Sequence, residues 1–265
     1  MLMALDTLRN QIFHFRVSAY ELLPMIAKPK LHSALAQQAY EHVKVSILEG
    51  RLAPEDKLSV VALADQLGCS RVPVMEALKR LESDGFVQIV PQVGCKIVSP
   101  DVRDVMDFFR LFAAAEGMVT RFAAERRSQG DLAAFSKLCK QIDSLTASAG
   151  APTAEDPSYR RLNLLFHGEI HRMADSPLAS DIAASFWDRS DFYIKIAFGS
   201  LYFSTRVKRA HRLIRRAIID GDGDAAEREV RAHLYAVGDG VVRRLQELGD
   251  SVGDRESGRT ARTRN

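Results

Sequence analysis

Four side chains scattered over the second half of the chain have the types and spacing of a metal site. Asn163 and His167 are four residues apart, so on a helix both project from one stripe. His211 belongs to a later helical segment, and His233 to the segment beyond it, across the GDG turn at 221–223. Three imidazoles and one oxygen donor facing the core of a helical bundle suit a divalent ion such as Zn²⁺, Ni²⁺ or Mn²⁺, with open coordination positions. An isolated histidine on an apolar helix face is ordinarily a hydrogen-bonded core residue, so periodicity alone leaves both readings open. His171 lies a further four residues on and shares the stripe, which places it beside the site or on the surface.

A second chemistry is suggested by Leu58 to Pro100, LSVVALADQLGCSRVPVMEALKRLESDGFVQIVPQVGCKIVSP. Two short amphipathic helices broken at Gly68, followed by a short strand pair, form the outline of a winged helix-turn-helix. In that geometry the second helix enters the major groove of DNA with its N-terminal residues nearest the bases. These are Ser70, Arg71 and Val72. The Arg71 fork matches guanine or phosphate oxygens, and Ser70 with the backbone amides at the helix start can hold a phosphate. Lys79 and Arg80, further along, are candidates for backbone contacts. Gly94 lets the wing tip bend toward the minor groove, with Lys96 following it.

These residues require two kinds of scaffold. Apolar positions Leu35, Ala39, Val43, Ile47 and Leu48 predict a first head helix over 34–49, closed by Gly50. Ser59 caps a second helix over 60–67, and Ser70 a third, with Pro73 in its first turn. Phe86–Val90 and Cys95–Val98 read as strands around the wing PQVG. From Asp101 the pattern is helical throughout, with segments near 102–127, 131–148, 158–174, 178–199, 204–219 and 223–247. The fold class is therefore mainly α: a winged head of three helices and a small β-wing, then an all-α bundle of six or seven helices. The predicted divisions are an extension over 1–33, the head over 34–100, the helical domain over 101–248, and a disordered tail over 249–265, which has almost no apolar residues.

Composition bounds the alternatives. An apolar fraction of 46% and a charged fraction of 27% are those of a soluble globular protein. Between residues 34 and 100 there are seven Lys or Arg against eight Asp or Glu, so bulk charge does not argue for nucleic acid. A few basic residues on one face, presented twice by a dimer, would suffice. The three cysteines, Cys69, Cys95 and Cys139, show no ligand spacing and read as small, partly buried thiols in a reducing compartment. No apolar run approaches the roughly 18 residues that span a bilayer. The start, MLMALDTLRNQIFHF, reads as neither signal nor anchor, which fits a cytoplasmic protein. A metal-dependent hydrolase would need a general base near the ion, and no HExxH motif occurs.

The stretch LADQLGCSRVPVMEALKRLESDGFV resembles the head of GntR-family transcription regulators, whose pattern runs LA..LGVSRTPVREAL..LE..GLV. The similarity covers about residues 35–98. Two departures stand out: Val60 where the family is usually acidic, and Met75 where it has a DNA-contacting arginine. NLLFHGEI (163–170), AHRLIRRAIIDGD (210–222) and RAHL (231–234) resemble elements of the FCD-type effector domain of the FadR subfamily. The resemblance implies a DNA-binding regulator, more a repressor than an activator, that reads an inverted-repeat operator as a homodimer. It implies a divalent metal at Asn163, His167, His211 and His233, and a small effector, possibly a carboxylate. Asn163 replaces the more common aspartate, and a neutral amide oxygen is the weaker ligand. Phe112 stands where family members often carry an arginine that holds carboxylate effectors. Arg110, Arg121, Arg189 and Tyr193 are the candidates to line the effector pocket instead, although core packing explains the aromatic equally well. A helical domain that only dimerises is the alternative.

Overall fold

The computed structural model describes residues 33–90, 94–148, 158–199 and 205–262. The predicted extension over 1–33, apart from its last residue, and most of the wing PQVG lie outside the described residues.

Three helices build the head. Helix α1 (Ala34–Leu48) is started by Ser33, whose hydroxyl accepts the amide of Ala36. Helix α2 (Val60–Leu67) is capped by Ser59 accepting from Ala62, and helix α3 (Arg71–Ser83) follows. Between α2 and α3 the backbone turns at Gly68, with φ +61°. That left-handed conformation is strained for a side-chain-bearing residue, so the sharp turn selects glycine. Ser70 occupies the cap position of α3 but makes no capping hydrogen bond, contrary to the sequence expectation; its hydroxyl is left at the exposed start of the helix.

The wing is a three-stranded antiparallel sheet in the order β1 (Lys57–Leu58), β3 (Gly94–Ile97), β2 (Val87–Val90). Lys57 and Gln88 both pair with Lys96 on the central strand. Side chains directly opposite one another share a face, so one surface of the sheet carries Lys57, Lys96 and Gln88. The other turns Leu58, Val87, Cys95 and Ile97 toward the core.

The rest of the described chain is a seven-helix bundle: α4 (Val102–Arg126), α5 (Gln129–Ser148), α6 (Ser158–Ala174), α7 (Pro177–Ala184), α8 (Trp187–Phe198), α9 (Thr205–Asp220) and α10 (Gly223–Arg262). The predicted helix over 178–199 is two helices, broken at Ser185–Phe186, where the amides of both residues bond back within the last turn of α7. Helix α4 is the central rod. It packs along α10 and touches α6, α7 and α9, burying Val105, Phe108, Phe109, Phe112, Val119 and Ala123. The segment after Gly249, expected as a disordered tail, continues α10 to Arg262; no proline interrupts it. No described helix is long and apolar enough to cross a membrane.

Candidate metal centre and DNA-reading face

Helices α6, α9 and α10 each bring one histidine to a common point inside the bundle. His167, His211 and His233 are all buried, and one ring nitrogen of each lies within 4.8 Å of the others. The ring of His167 stands 5.4 Å from His211 and 6.4 Å from His233, centre to centre. Burial holds His233 down at about 3, helped by the nearby His167, and lowers His211 for the same reason with both other rings contributing. Both are thus neutral at pH 7, the form that ligates.

Beneath this trio sits Glu116 of α4, fully buried. Its Oε1 accepts hydrogen bonds from His171 Nε2 at 2.9 Å and from Trp187 Nε1 at 2.8 Å. Its Oε2 faces His167 Nδ1 at 3.8 Å, beyond hydrogen-bond reach but well within Coulombic range. Burial by itself raises the Glu116 carboxyl, yet the rings of His171 and His167 outweigh it and hold it below the usual carboxylate range. His171 therefore belongs to a buried support beneath the trio, not to the surface.

Two observations mark these histidines as candidates for holding a ligand. Neither ring nitrogen of His167 has a hydrogen-bond partner, although the residue is 2% exposed. The buried Oδ1 of Asn163, one turn before it, is also without one. Buried polar atoms are nearly always satisfied, and an orphaned pair four residues apart calls for a partner between them. Three imidazoles and an amide oxygen are a donor set that fits Zn²⁺ or Ni²⁺.

At the other end of the molecule, α3 presents Ser70, Arg71, Val72 and Lys79 to solvent, with Val72 75% exposed. Met75, by contrast, is partly buried against the head core. Gly94 is exposed at the start of β3. Lys96 lies on the open face of the wing sheet and is paired with Glu55 at 2.8 Å. Arg80 does not point outward as expected. Its guanidinium lies over the Tyr40 ring and donates to Gln37 at 2.6 Å, because α1 packs against that side of α3.

A helix-turn-helix with a three-stranded wing in front of an all-α bundle narrows the possibilities, and comparison with known proteins completes the assignment. Residues 35–97 match the family described as bacterial regulatory proteins, gntR family, and residues 107–236 match the FCD domain. The chain belongs to the GntR family. Within it, the FCD domain places the chain in the FadR-like branch: a DNA-binding transcription regulator with a ligand-binding domain, not an enzyme. It is 26% identical over 216 residues to the HTH-type transcriptional repressor RspR of Escherichia coli strain K12, covering 81% of this chain and 92% of that one. It is 22% identical over 197 residues to the regulator YdhC of Bacillus subtilis strain 168, covering 74% and 86%. The solved structure of E. coli McbR/YncC shares its fold, with a TM-score of 0.60 at 20% identity over 80% of this chain and 98% of that one.

The GntR-family regulator does not bring the four effector-pocket candidates to its histidines. Arg110 is exposed on α4 and bonded to Asp107. Arg121 lies in an open groove between α4 and α10, engaged by Glu125, Asp224 and Glu227. Arg189 donates to the hydroxyl of Tyr193 at 2.7 Å, and Tyr193 packs on Phe108 and Phe109, so both are committed beside the head. The nearest neighbours of the trio are aromatic: Trp187 is 4.5 Å from His167 and edge-on to Phe112 at 5.3 Å, while Phe166 stacks on His211 at 4.5 Å.

Two functional candidates are not visible in the sequence pattern. Glu116 is one of four acids on α4 and shows its role only through contacts from α6 and α8. Lys57 sits in a strand of two residues, too short for any alternation to reveal.

Proposed function

We propose that this regulator is a cytoplasmic homodimeric repressor whose helical domain holds a divalent metal ion and a small anionic metabolite that modulates operator binding. The observation that carries this reading is the trio His167, His211 and His233, with ligating atoms within 4.8 Å, beside the orphaned oxygen of Asn163. These four residues would hold the ion, and Zn²⁺ or Ni²⁺ suits them better than Mn²⁺ because three of the donors are imidazoles. A bound divalent ion supplies positive charge to an anionic metabolite at a place where Phe112 offers none. Glu116 would hold His171 by its hydrogen bond and face His167 with its charge, a carboxylate behind the candidate ligands.

The head would read DNA through Arg71, supported by Ser70 and Val72 at the start of α3 and by Lys79 along it. Lys57, Gly94 and Lys96 would meet the sugar-phosphate backbone from the wing. A dimer reads a two-fold operator, an inverted repeat. Supporting the dimer is an exposed apolar face on two helices that pack together, Leu111 and Met118 on α4 with Leu178 and Ile182 on α7. The repressor reading follows the similarity to RspR.

The deciding experiment is the metal content of untagged protein beside a His167→Ala/His233→Ala variant. About one divalent ion per chain, lost in the variant, is the expected result. No ion in either protein after incubation with Zn²⁺, Ni²⁺ and Mn²⁺ would overturn the metal reading and leave the helical domain as a dimeriser.

A further inference from the structure

Helix α8 begins at the histidine site and runs along the DNA-reading head. Its first residue, Trp187, packs on His167 and donates to Glu116. The next residue, Asp188, places Oδ2 at 3.2 Å from Nζ of Lys44, a lysine of α1 whose side chain is only 4% exposed. Arg189 then lies against Gly85, in the turn between α3 and β2, so closely that a Cβ there would stand 2.7 Å from its Cζ. Phe192, one turn on, has its ring 5.4 Å from that of Phe86. Lys195, nearly another turn along, runs against Gly50, where a Cβ would stand 2.9 Å from its Cε. A single helix of 12 residues thus touches the histidine site at its start and three parts of the head along its length.

This arrangement has a mechanical consequence. A helix is stiff over three turns, and close-packed contacts switch between discrete arrangements rather than stretch. The pair is half-enclosed, with Lys44 4% and Asp188 21% exposed, and Lys44 also meets Glu41 at 3.5 Å within α1, so it ties α8 to a lysine already held in place. A change in the seat of Trp187 would be passed along α8 to α1, through Lys44–Asp188, and to the turn at the end of α3, through the packed rings of Phe192 and Phe86.

We infer that α8 is the element that couples the histidine site to the orientation of the DNA-reading head, with Trp187 as its input and the Lys44–Asp188 pair and the Phe192–Phe86 contact as its output. The inference rests on the reading that the histidines bind a ligand. By linkage, operator binding must then change the ion affinity by the same factor as the ion changes operator affinity. Trp187 is the chain's single tryptophan, so its fluorescence reports the input directly.

The test is amide hydrogen exchange of the full chain with and without Zn²⁺, in the wild type, in Trp187→Phe, and in Lys44→Met/Asp188→Leu. The double substitution replaces the pair by apolar side chains, a change that buried ion pairs often tolerate. Zn²⁺ is expected to change exchange of α1 and of residues 83–87 by about threefold or more in the wild type. In the double variant it should still shift Trp187 fluorescence while α1 no longer responds. Zn²⁺ that shifts the fluorescence of the wild type without touching α1 would overturn the proposal, as would a double variant that transmits undiminished. Should Zn²⁺ not bind at all, the ion reading fails separately, and the metal-free Trp187→Phe chain decides the coupling. Faster exchange in α1, absent from an Ile170→Val control in α6, upholds it; exchange equal to the wild type overturns it.

Discussion

The guanidinium carbon of Arg80 lies 3.9 Å from the centre of the Tyr40 ring, and the same residue donates to Gln37. The last basic side chain of the recognition helix is thus part of the head's own packing, while Arg71 at its first position faces solvent. The two arginines should separate cleanly on substitution. Arg71→Ala is expected to weaken operator binding by about 1–3 kcal/mol with an unchanged Tm. Arg80→Ala should instead lower Tm, since it removes a cation–π interaction of about 1 kcal/mol and a hydrogen bond, with a smaller effect on DNA. Fluorescence anisotropy on an operator selected from random duplexes, beside thermal denaturation, distinguishes them.

Lys57 on β1, directly opposite Lys96 on β3, extends the positive face of the wing. If it meets phosphate, Lys57→Ala should weaken binding to all sequences alike and reduce the slope of log K against log salt by about 0.9 for each phosphate it neutralised. An unchanged slope would place Lys57 off the DNA.

The metal centre makes two opposed predictions. Asn163→Asp should tighten Zn²⁺ binding, since a carboxylate replaces a neutral oxygen donor. Glu116→Gln keeps the shape and the acceptor for Trp187 but removes the charge facing His167, and should weaken Zn²⁺ by about 10–100-fold. Calorimetric titration of both variants measures the pair.

Thiol reactivity follows burial. Burial pushes the Cys95 and Cys139 thiols up to about 11, so at pH 8 neither holds an appreciable thiolate fraction. Cys69 is only partly covered. A disulfide reagent at pH 8 should modify Cys69 in the native protein, and all three cysteines once it is denatured.

Leu111→Glu/Leu178→Glu places charges on the apolar face of α4 and α7. It should convert a dimer to a monomer in sedimentation velocity, with helical content retained.

Much of this molecule is legible along the chain. Serine caps, glycine breaks and apolar spacing delimit the head helices, and the four-residue step from Asn163 to His167 points at the metal site before any fold is known. What the chain hides is decided by distant packing. Arg80 reads as a surface charge because the ring that captures it lies forty positions upstream. The break at Ser185–Phe186 carries neither glycine nor proline, so apolar periodicity runs through it. Glu116 shows nothing until α6 and α8 converge on it. Arg110, Arg121, Arg189 and Tyr193 have suitable chemistry for an anion, but carboxylates and neighbouring rings claim them first.

Gly85 differs from Gly68 in what it leaves room for. At Gly68, φ is +61° and nothing lies within 4 Å of where a Cβ would stand, so asparagine, which tolerates that conformation, is an acceptable substitute. At Gly85, φ is +80° and Arg189 occupies the space. Mutational tolerance at these two sites should therefore diverge: asparagine satisfies the turn at both, but at 85 it would displace the Arg189 guanidinium from the turn.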